Sequence, residues 1–203
     1  MYNNDEHEII KFDADFNEDF DNILMDIISE CKRLYFLDSK GFGIKEKRVN
    51  SIFNKSVDLL PSNLTHIKFG YSFNKCVDNL PFLLEWLEFG YLFNQRVDML
   101  PNTIIYLVFG YSFNQEVNNL PNSLEYVSFG PLFNKPIDNL PNSIFYINIG
   151  SVETNNYIEF TQQTFNLPLK LENIVIWWKN KKYPIKNDFI KKLNDIILNK
   201  NKN

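Results

Sequence analysis

Five consecutive segments of the chain repeat one another at a spacing of twenty residues: FNKSVDLLPSNLTHIKFGYS from Phe53, FNKCVDNLPFLLEWLEFGYL from Phe73, FNQRVDMLPNTIIYLVFGYS from Phe93, FNQEVNNLPNSLEYVSFGPL from Phe113 and FNKPIDNLPNSIFYINIGSV from Phe133. An array of this kind limits the fold before any single residue is considered, because each repeat is one structural unit stacked on its neighbours. Twenty residues cannot hold a strand, a full helix and two turns, which together need roughly thirty. Each coil is therefore mostly extended. Within it the pattern L-x-x-L-x-F, as in Leu124, Val127 and Phe129, predicts a short strand with one buried face. One such strand per coil, all running the same way at a spacing of ~4.8 Å, makes a parallel sheet along one side of a solenoid. The return path begins at Pro61, Pro81, Pro101, Pro121 and Pro141, and a residue without an N–H suits an extended convex side better than a helix interior.

The register continues in weaker form on both sides. Ile10-Lys11-Phe12, Phe16-Asn17 and Phe20-Asp21 match Ile67-Lys68-Phe69, Phe73-Asn74 and Val77-Asp78, so the array begins near residue 8. After Gly150 about seven extra residues precede Phe160; Leu167-Pro168, Leu171, Ile174 and Ile176 then restore the pattern, which ends near Trp177. The expected organisation is a single solenoid domain over 1–203 with about seven coils. It divides into an N-terminal cap with a degenerate first coil and an insertion (1–52), five regular repeats (53–152), a degenerate last coil (153–177) and a C-terminal cap helix (178–203). Caps are expected because terminal coils expose an apolar cross-section. Phe20, Ile23, Leu24, Ile27, Ile28 and Cys31 follow helical spacing, which predicts a helix around Ile23 to Leu34 interrupting the first coil. A second helix is predicted from Asp188 to Leu198, introduced by Asn187.

The Phe-Asn start, the Leu-Pro and the L-x-x-L-x-F-G strand resemble the FNIP repeat, a leucine-rich-repeat relative found in amoebal proteins and in giant viruses that infect amoebae. The resemblance covers Phe53 to Val152 closely and the flanks loosely. The period is two residues shorter than is usual in that family and matches the twenty-residue bacterial leucine-rich repeats, which also use Leu-Pro-x-x-Leu-x-x-Leu. Such a resemblance implies a leucine-rich-repeat-like, right-handed solenoid that binds a partner and names no ligand; the crossover rule gives the same hand. Some proteins with this repeat carry an F-box before it and act as substrate receptors of ubiquitin ligases. Here residues 8 to 21 are already used by a repeat, which leaves only the helix around Ile23 to Leu34 for such a module.

Positions that recur in every coil are read first as structure. Phe53 through Phe133 and Phe69 through Phe129 predict a double phenylalanine spine, with Ile149 as its last member. Asn54, Asn74, Asn94, Asn114 and Asn134 predict an amide ladder between coils. The glycines from Gly70 to Gly150 are expected to supply a backbone angle that a Cβ would oppose. Asp58, Asp78, Asp98 and Asp138 suggest a cation stripe, but Asn118 stands in the same column. An amide keeps a turn-capping hydrogen bond and loses ligand charge, so turn capping is expected and no metal is predicted.

Catalytic chemistry finds little material. His7 and His66 are the only histidines, and no G-x-S-x-G, H-E-x-x-H or C-x-x-C occurs, so an enzyme is not expected and no cofactor is assigned. Gly41-Phe42-Gly43 followed by Lys45, Lys47 and Arg48 lies in a segment, Leu37 to Asn50, that breaks the repeat. It lacks a phosphate-loop signature and reads as a loop leaving the cap. No apolar run approaches the ~18 residues of a spanning helix, and the acidic start lacks the basic opening of a signal peptide. Cys31 and Cys76 are too few for a disulfide framework, so free thiols, a cytoplasmic location (the host's, if the protein is viral) and unglycosylated sequons at Asn54 and Asn63 are expected. A formal charge of -4 gives no general reason to bind nucleic acid. Charge is nevertheless divided: Met1 to Glu30 holds ten acids against Lys11, and Lys179 to Asn203 holds eight lysines against two acids. These ends could attract weakly head to tail, although a monomer is the ordinary expectation for charged caps.

Strand alternation locates a candidate surface. If Ile67 and Phe69 point inward, His66 and Lys68 point outward onto the concave sheet. The same phase gives a column of His66, Trp86, Tyr106, Tyr126 and Tyr146, and beside it Lys68, Glu88, Val108, Ser128 and Asn148. Neighbouring rings can simply stabilise cross-strand pairs. Aromatic anchors beside varied polar residues also make a protein-binding patch, with Trp86, Tyr106 and Tyr126 central and Lys68 and Glu88 adding selectivity. The expected function is a non-enzymatic protein-interaction module; the alternatives are a ubiquitin-ligase substrate receptor and a carbohydrate-binding solenoid.

Overall fold

A computed structural model of the chain describes residues 8–40, 48–150, 167–178 and 181–185. Strands β1 (Ile9–Phe12), β2 (Arg33–Phe36), β5 (His66–Lys68), β6 (Trp86–Glu88), β7 (Tyr106–Val108), β8 (Tyr126–Phe129), β9 (Tyr146–Ile149) and β10 (Asn173–Trp178) pair in this order, each parallel to the next. β11 (Lys181–Ile185) lies antiparallel on β10 and completes a nine-stranded sheet. β3 (Ser39–Lys40) and β4 (Arg48–Val49) form a separate antiparallel pair. The architecture is the parallel solenoid that the period requires. Ile67, Leu87, Leu107, Val127 and Ile147 occupy equivalent positions in adjacent strands, each fully buried.

The inward residues make one continuous core. Phe53, Phe73, Phe93, Phe113 and Phe133 stack coil upon coil with ring centroids 5.9 to 6.2 Å apart. The second row runs beside it, Phe69, Phe89, Phe109 and Phe129 lying 5.5 to 5.7 Å apart. Within a coil each member of one row meets the other at 3.7 to 4.0 Å, as Phe89 does Phe93. The double spine continues through Phe36 and Phe53 at 4.0 Å to Phe12 and Phe16 at 3.9 Å. Valine or isoleucine at Val57 to Ile137 and leucine at Leu60 to Leu140 fill the remaining space. The Leu-Pro path is extended and punctuated by tight turns, such as those closed by Leu60 N–H on the Val57 carbonyl and by Leu64 N–H on the Pro61 carbonyl, both at 3.3 Å.

The asparagine ladder is present as expected and begins one coil earlier than the regular repeats. Asn54 N–H donates to Asn17 Oδ1 at 3.0 Å, and Asn74, Asn94, Asn114 and Asn134 each repeat the bond to the asparagine twenty residues before at 2.9 Å. The Asp58 column also makes coil-to-coil bonds: Asn79 Nδ2 donates to Asp58 Oδ1, Asn119 Nδ2 to Asp98 Oδ1 and Asn139 Nδ2 to Asn118 Oδ1, at 3.0 to 3.2 Å. Amide and carboxylate serve equally as acceptors there, which accounts for Asn118 in an acidic column.

Three expectations are corrected. The glycines do not share one backbone angle: among the described residues only Gly150 has a positive φ, 90°. Gly90, Gly110 and Gly130 are required because a Cβ on each would overlap the carbonyl oxygen of the glycine one coil earlier. The N-terminal helix, α1 (Asn22–Ile28), is shorter than the span to Leu34; Asp21 caps it by accepting from Leu24 N–H at 2.8 Å. Leu34 lies instead in β2, so among the described residues the parallel strands number eight where about seven coils were expected. Ile10 pairs with Leu34, a step of 24 residues against the 20 from Ile67 to Leu87, and α1 takes up the longer step. It sits in the return path of the first coil, between β1 and β2.

The range expected as a cap helix opens with strand β11, whose sequence Lys-Lys-Tyr-Pro-Ile suits an outer edge, where lysine and proline discourage further strand pairing. The helix predicted over Asp188 to Leu198 falls outside the described residues, as does the tip of the 37–50 insertion, whose arms are β3 and β4.

Candidate interaction surface

The open face of the sheet is built by alternation. In β6, Leu87 is buried while Trp86 and Glu88 on either side are half-buried and face outward; β5, β7 and β9 show the same pattern. Ser128 in β8 is the most enclosed outward residue, 9% exposed. The backbone register brings His66, Trp86, Tyr106, Tyr126 and Tyr146 into one row across five strands. Their rings stack continuously, with centroids 6.0 Å apart for His66 and Trp86, 3.7 Å for Trp86 and Tyr106, 4.2 Å for Tyr106 and Tyr126, and 5.0 Å for Tyr126 and Tyr146. The interplanar angles stay at or below 19°.

This stacking decides what the column can offer. Ring faces are occupied by neighbouring rings, so solvent meets ring edges, the indole and the phenol hydroxyls. A sugar needs an open aromatic face to lie on, whereas edges and hydroxyls suit a protein surface with both apolar and polar groups. Burial, followed by the neighbouring Tyr126, raises the Tyr106 phenol well above its ordinary range, and burial raises Tyr146 as well. Burial, then the charge of Arg33, lowers the His66 imidazole below its ordinary value. These shifts favour the uncharged forms of His66, Tyr106 and Tyr146 in the column.

Beside it, Lys68 Nζ and Glu88 Oε1 form an ion pair at 2.6 Å, and Asn148 Nδ2 donates to Ser128 Oγ at 2.8 Å. All seven predicted surface residues, His66, Lys68, Trp86, Glu88, Tyr106, Tyr126 and Tyr146, lie on this one face. Finding β2 adds more: Arg33 stands next to His66 in the aromatic row, and Lys11, Tyr35 and Lys68 are aligned in the other. The signal was Cys31-x-x-Leu34-x-Phe36, the strand pattern without its glycine. A further column was not anticipated. Tyr71, Tyr91 and Tyr111 follow the recurring glycines and stack at 4.7 and 4.5 Å, forming a rim at the strand ends.

Comparison with known proteins agrees with this construction. Three matches to the family model described as FNIP Repeat cover residues 53–92, 93–131 and 116–152. The chain is an FNIP-repeat protein. The crystal structure of the giant-virus protein CroV588, described as a novel circular leucine-rich-repeat protein, is similar to 82% of this chain at 33% sequence identity with a TM-score of 0.64. The similar region is 23% of that chain, so the FNIP-repeat protein described here corresponds to under a quarter of its length. No curated protein matches the sequence. Among the described residues no helix is long and apolar enough to cross a membrane.

Proposed function

We propose that this FNIP-repeat protein is a non-enzymatic protein-binding module and that its partner docks on the open face of the sheet. The observation that carries the reading is the continuous, half-buried aromatic row from His66 to Tyr146 on a rigid scaffold. Stacking alone can be supplied by any flat side chain. A row that keeps Trp86, Tyr106 and Tyr126 half-exposed also leaves large, conformationally fixed groups ready to bury, at little entropic cost on binding. Trp86, Tyr106 and Tyr126 are the central contacts. Lys68 and Glu88, already paired with each other, give selectivity by rewarding a partner that matches both charges.

A ubiquitin-ligase receptor is the second reading; the stretch from Ile9 to Phe36 builds β1, α1 and β2 of the solenoid, so an F-box would not lie within it. A carbohydrate-binding role conflicts with ring faces that are already covered. The testing experiment is capture from native host extract on immobilised wild-type protein and on a Trp86→Ala/Tyr106→Ala variant, with retained proteins identified by mass spectrometry. A protein kept by the wild type and lost by the variant supports the reading. Identical sets on both surfaces count against it, and a Skp1-like adaptor among them would favour the ligase reading.

A further inference from the structure

We propose that the Leu-Pro turns of three consecutive coils, 53–72, 73–92 and 93–112, form a second docking surface whose occupant is an amphipathic helix of a partner protein, apolar on one face and basic beside it. Leu59, Phe82 and Met99 are 66%, 65% and 66% exposed, and Leu83 is 44% exposed. They occupy the middle of tight turns; Leu84 N–H, for example, closes the turn over Phe82 and Leu83 on the Pro81 carbonyl at 3.2 Å.

The repeats supply an internal control. Where Leu59 and Met99 stand, the other regular coils have Asn79, Asn119 and Asn139, and where Phe82 stands they have Ser62, Asn102, Asn122 and Asn142, with Leu169 in the last coil. The position of Leu83 is Thr103, Ser123 or Ser143 in later coils. Those polar residues bond the preceding coil: Thr103 Oγ1 donates to the Leu84 carbonyl at 2.7 Å, Ser123 Oγ to Ile104 and Ser143 Oγ to Leu124 at 2.6 Å, and Asn119 Nδ2 to Asp98 at 3.2 Å. The turn therefore accepts polar residues and gains coil-to-coil hydrogen bonds from them. Leu59, Leu83 and Met99 give up such bonds, and with Phe82 they place four large apolar side chains of three adjacent coils in water, which marks an interaction surface.

Charge and spacing identify the occupant. Asp58, Asp78 and Asp98 each precede the turn position at Leu59, Asn79 and Met99. Arg96 pairs with Asp98 at 2.8 Å, while Asp58 and Asp78 have no ion pair among the described residues. Asp58 accepts only from neutral donors, Ser56 Oγ at 2.7 Å and Asn79 Nδ2 at 3.1 Å, so its charge, like that of Asp78, has no cation beside it among the described residues and favours a cationic partner over an anionic lipid surface. Coils repeat at ~4.8 Å and helix turns at ~5.4 Å, so the i, i+4 and i+7 residues of a helix laid along the solenoid meet successive coils nearly in step. An extended strand, with same-face residues ~6.7 Å apart, does not.

The test uses a fluorescein-labelled 14-residue peptide of leucine and lysine patterned as an amphipathic helix, its leucine–glutamate counterpart, and fluorescence anisotropy. Saturable one-to-one binding of the lysine peptide is expected, weakened at least tenfold by Phe82→Asn/Met99→Asn and several-fold by Asp58→Asn/Asp78→Asn. Each asparagine is the residue other coils use, so folding is preserved. Trp86→Ala/Tyr106→Ala should bind as wild type, which separates this surface from the sheet face, and the glutamate peptide should bind at least tenfold more weakly. Failure to saturate, equal binding by Phe82→Asn/Met99→Asn, or loss in Trp86→Ala/Tyr106→Ala overturns the proposal. So does a sedimenting dimer abolished by Phe82→Asn/Met99→Asn, which would make the occupant a second copy. Binding to phosphatidylcholine–phosphatidylserine vesicles that depends on Phe82 would likewise replace the helix with a lipid surface.

Discussion

The backbone N–H of Asn94 donates to the side-chain oxygen of Asn74 at 2.9 Å, and the neighbouring Gln95 amide donates to the same oxygen at 3.0 Å. One amide side chain therefore closes two donors of the next coil, and the N–H would otherwise be partly buried without a partner. Asn74→Ala should destabilise the protein by roughly 1 to 3 kcal/mol, the cost of an unsatisfied group of this kind. Urea unfolding followed by circular dichroism would measure it. An unchanged midpoint would mean that water replaces the ladder.

The glycines separate two physical causes within one repeat position. Gly110→Ala forces a Cβ into the Gly90 carbonyl and should cost at least about 3 kcal/mol, at the upper end of overpacking effects. Gly150→Ala meets a positive φ of 90° and should cost about 1 to 2 kcal/mol. Equal losses in thermal or urea unfolding would remove this distinction.

Phe113 touches rings on three sides, Phe93 at 6.2 Å, Phe109 at 3.7 Å and Phe133 at 6.1 Å. Phe113→Ala should cost about 3 to 5 kcal/mol. Gln115→Lys exchanges an amide that reaches back to Asn94 for a charge, and should cost about 1 kcal/mol or less. Parallel urea titrations of the two variants would test the contrast.

Alkaline pH should weaken the fold through the tyrosine column. The Tyr106 phenol is raised above the ordinary tyrosine value of about 10 by burial and by Tyr126, so the folded state holds its proton while the unfolded chain loses it. Stability from this group is complete below about pH 10 and is lost as pH rises toward the folded value. Tyr106→Phe removes the titration. Its unfolding midpoint should fall less steeply than that of the wild type between about pH 9.5 and 11, and identical slopes would show that Tyr106 is not held neutral by the column.

The fold was legible because a twenty-residue period admits few architectures and because inward Ile67 and Phe69 alternate with outward His66 and Lys68 in step with it. The outward phase of His66, Trp86, Tyr106, Tyr126 and Tyr146 followed from the same alternation. β2 was hidden because Cys31 and Leu34 continue the three-residue spacing of the α1 apolar face; one side-chain pattern fits the end of a helix or the start of a strand. The strand reading needed the partner β5, a contact 33 residues away in sequence from Leu34 to Ile67. The glycines misled for a different reason. Sequence shows that Cβ is excluded but not whether a dihedral angle or the neighbouring coil excludes it. β11 lies beyond the repeat and had no template to reveal it.

The docking role of the sheet face is tested most directly by calorimetric titration of a captured partner into the wild type and into Trp86→Ala and Tyr106→Ala, with cooperative unfolding of each variant checked beforehand. Each substitution is predicted to weaken binding by more than about 1 kcal/mol, while Phe82→Asn leaves that affinity unchanged. Wild-type affinity in the Trp86→Ala/Tyr106→Ala double variant would contradict the account and leave the aromatic row as packing alone.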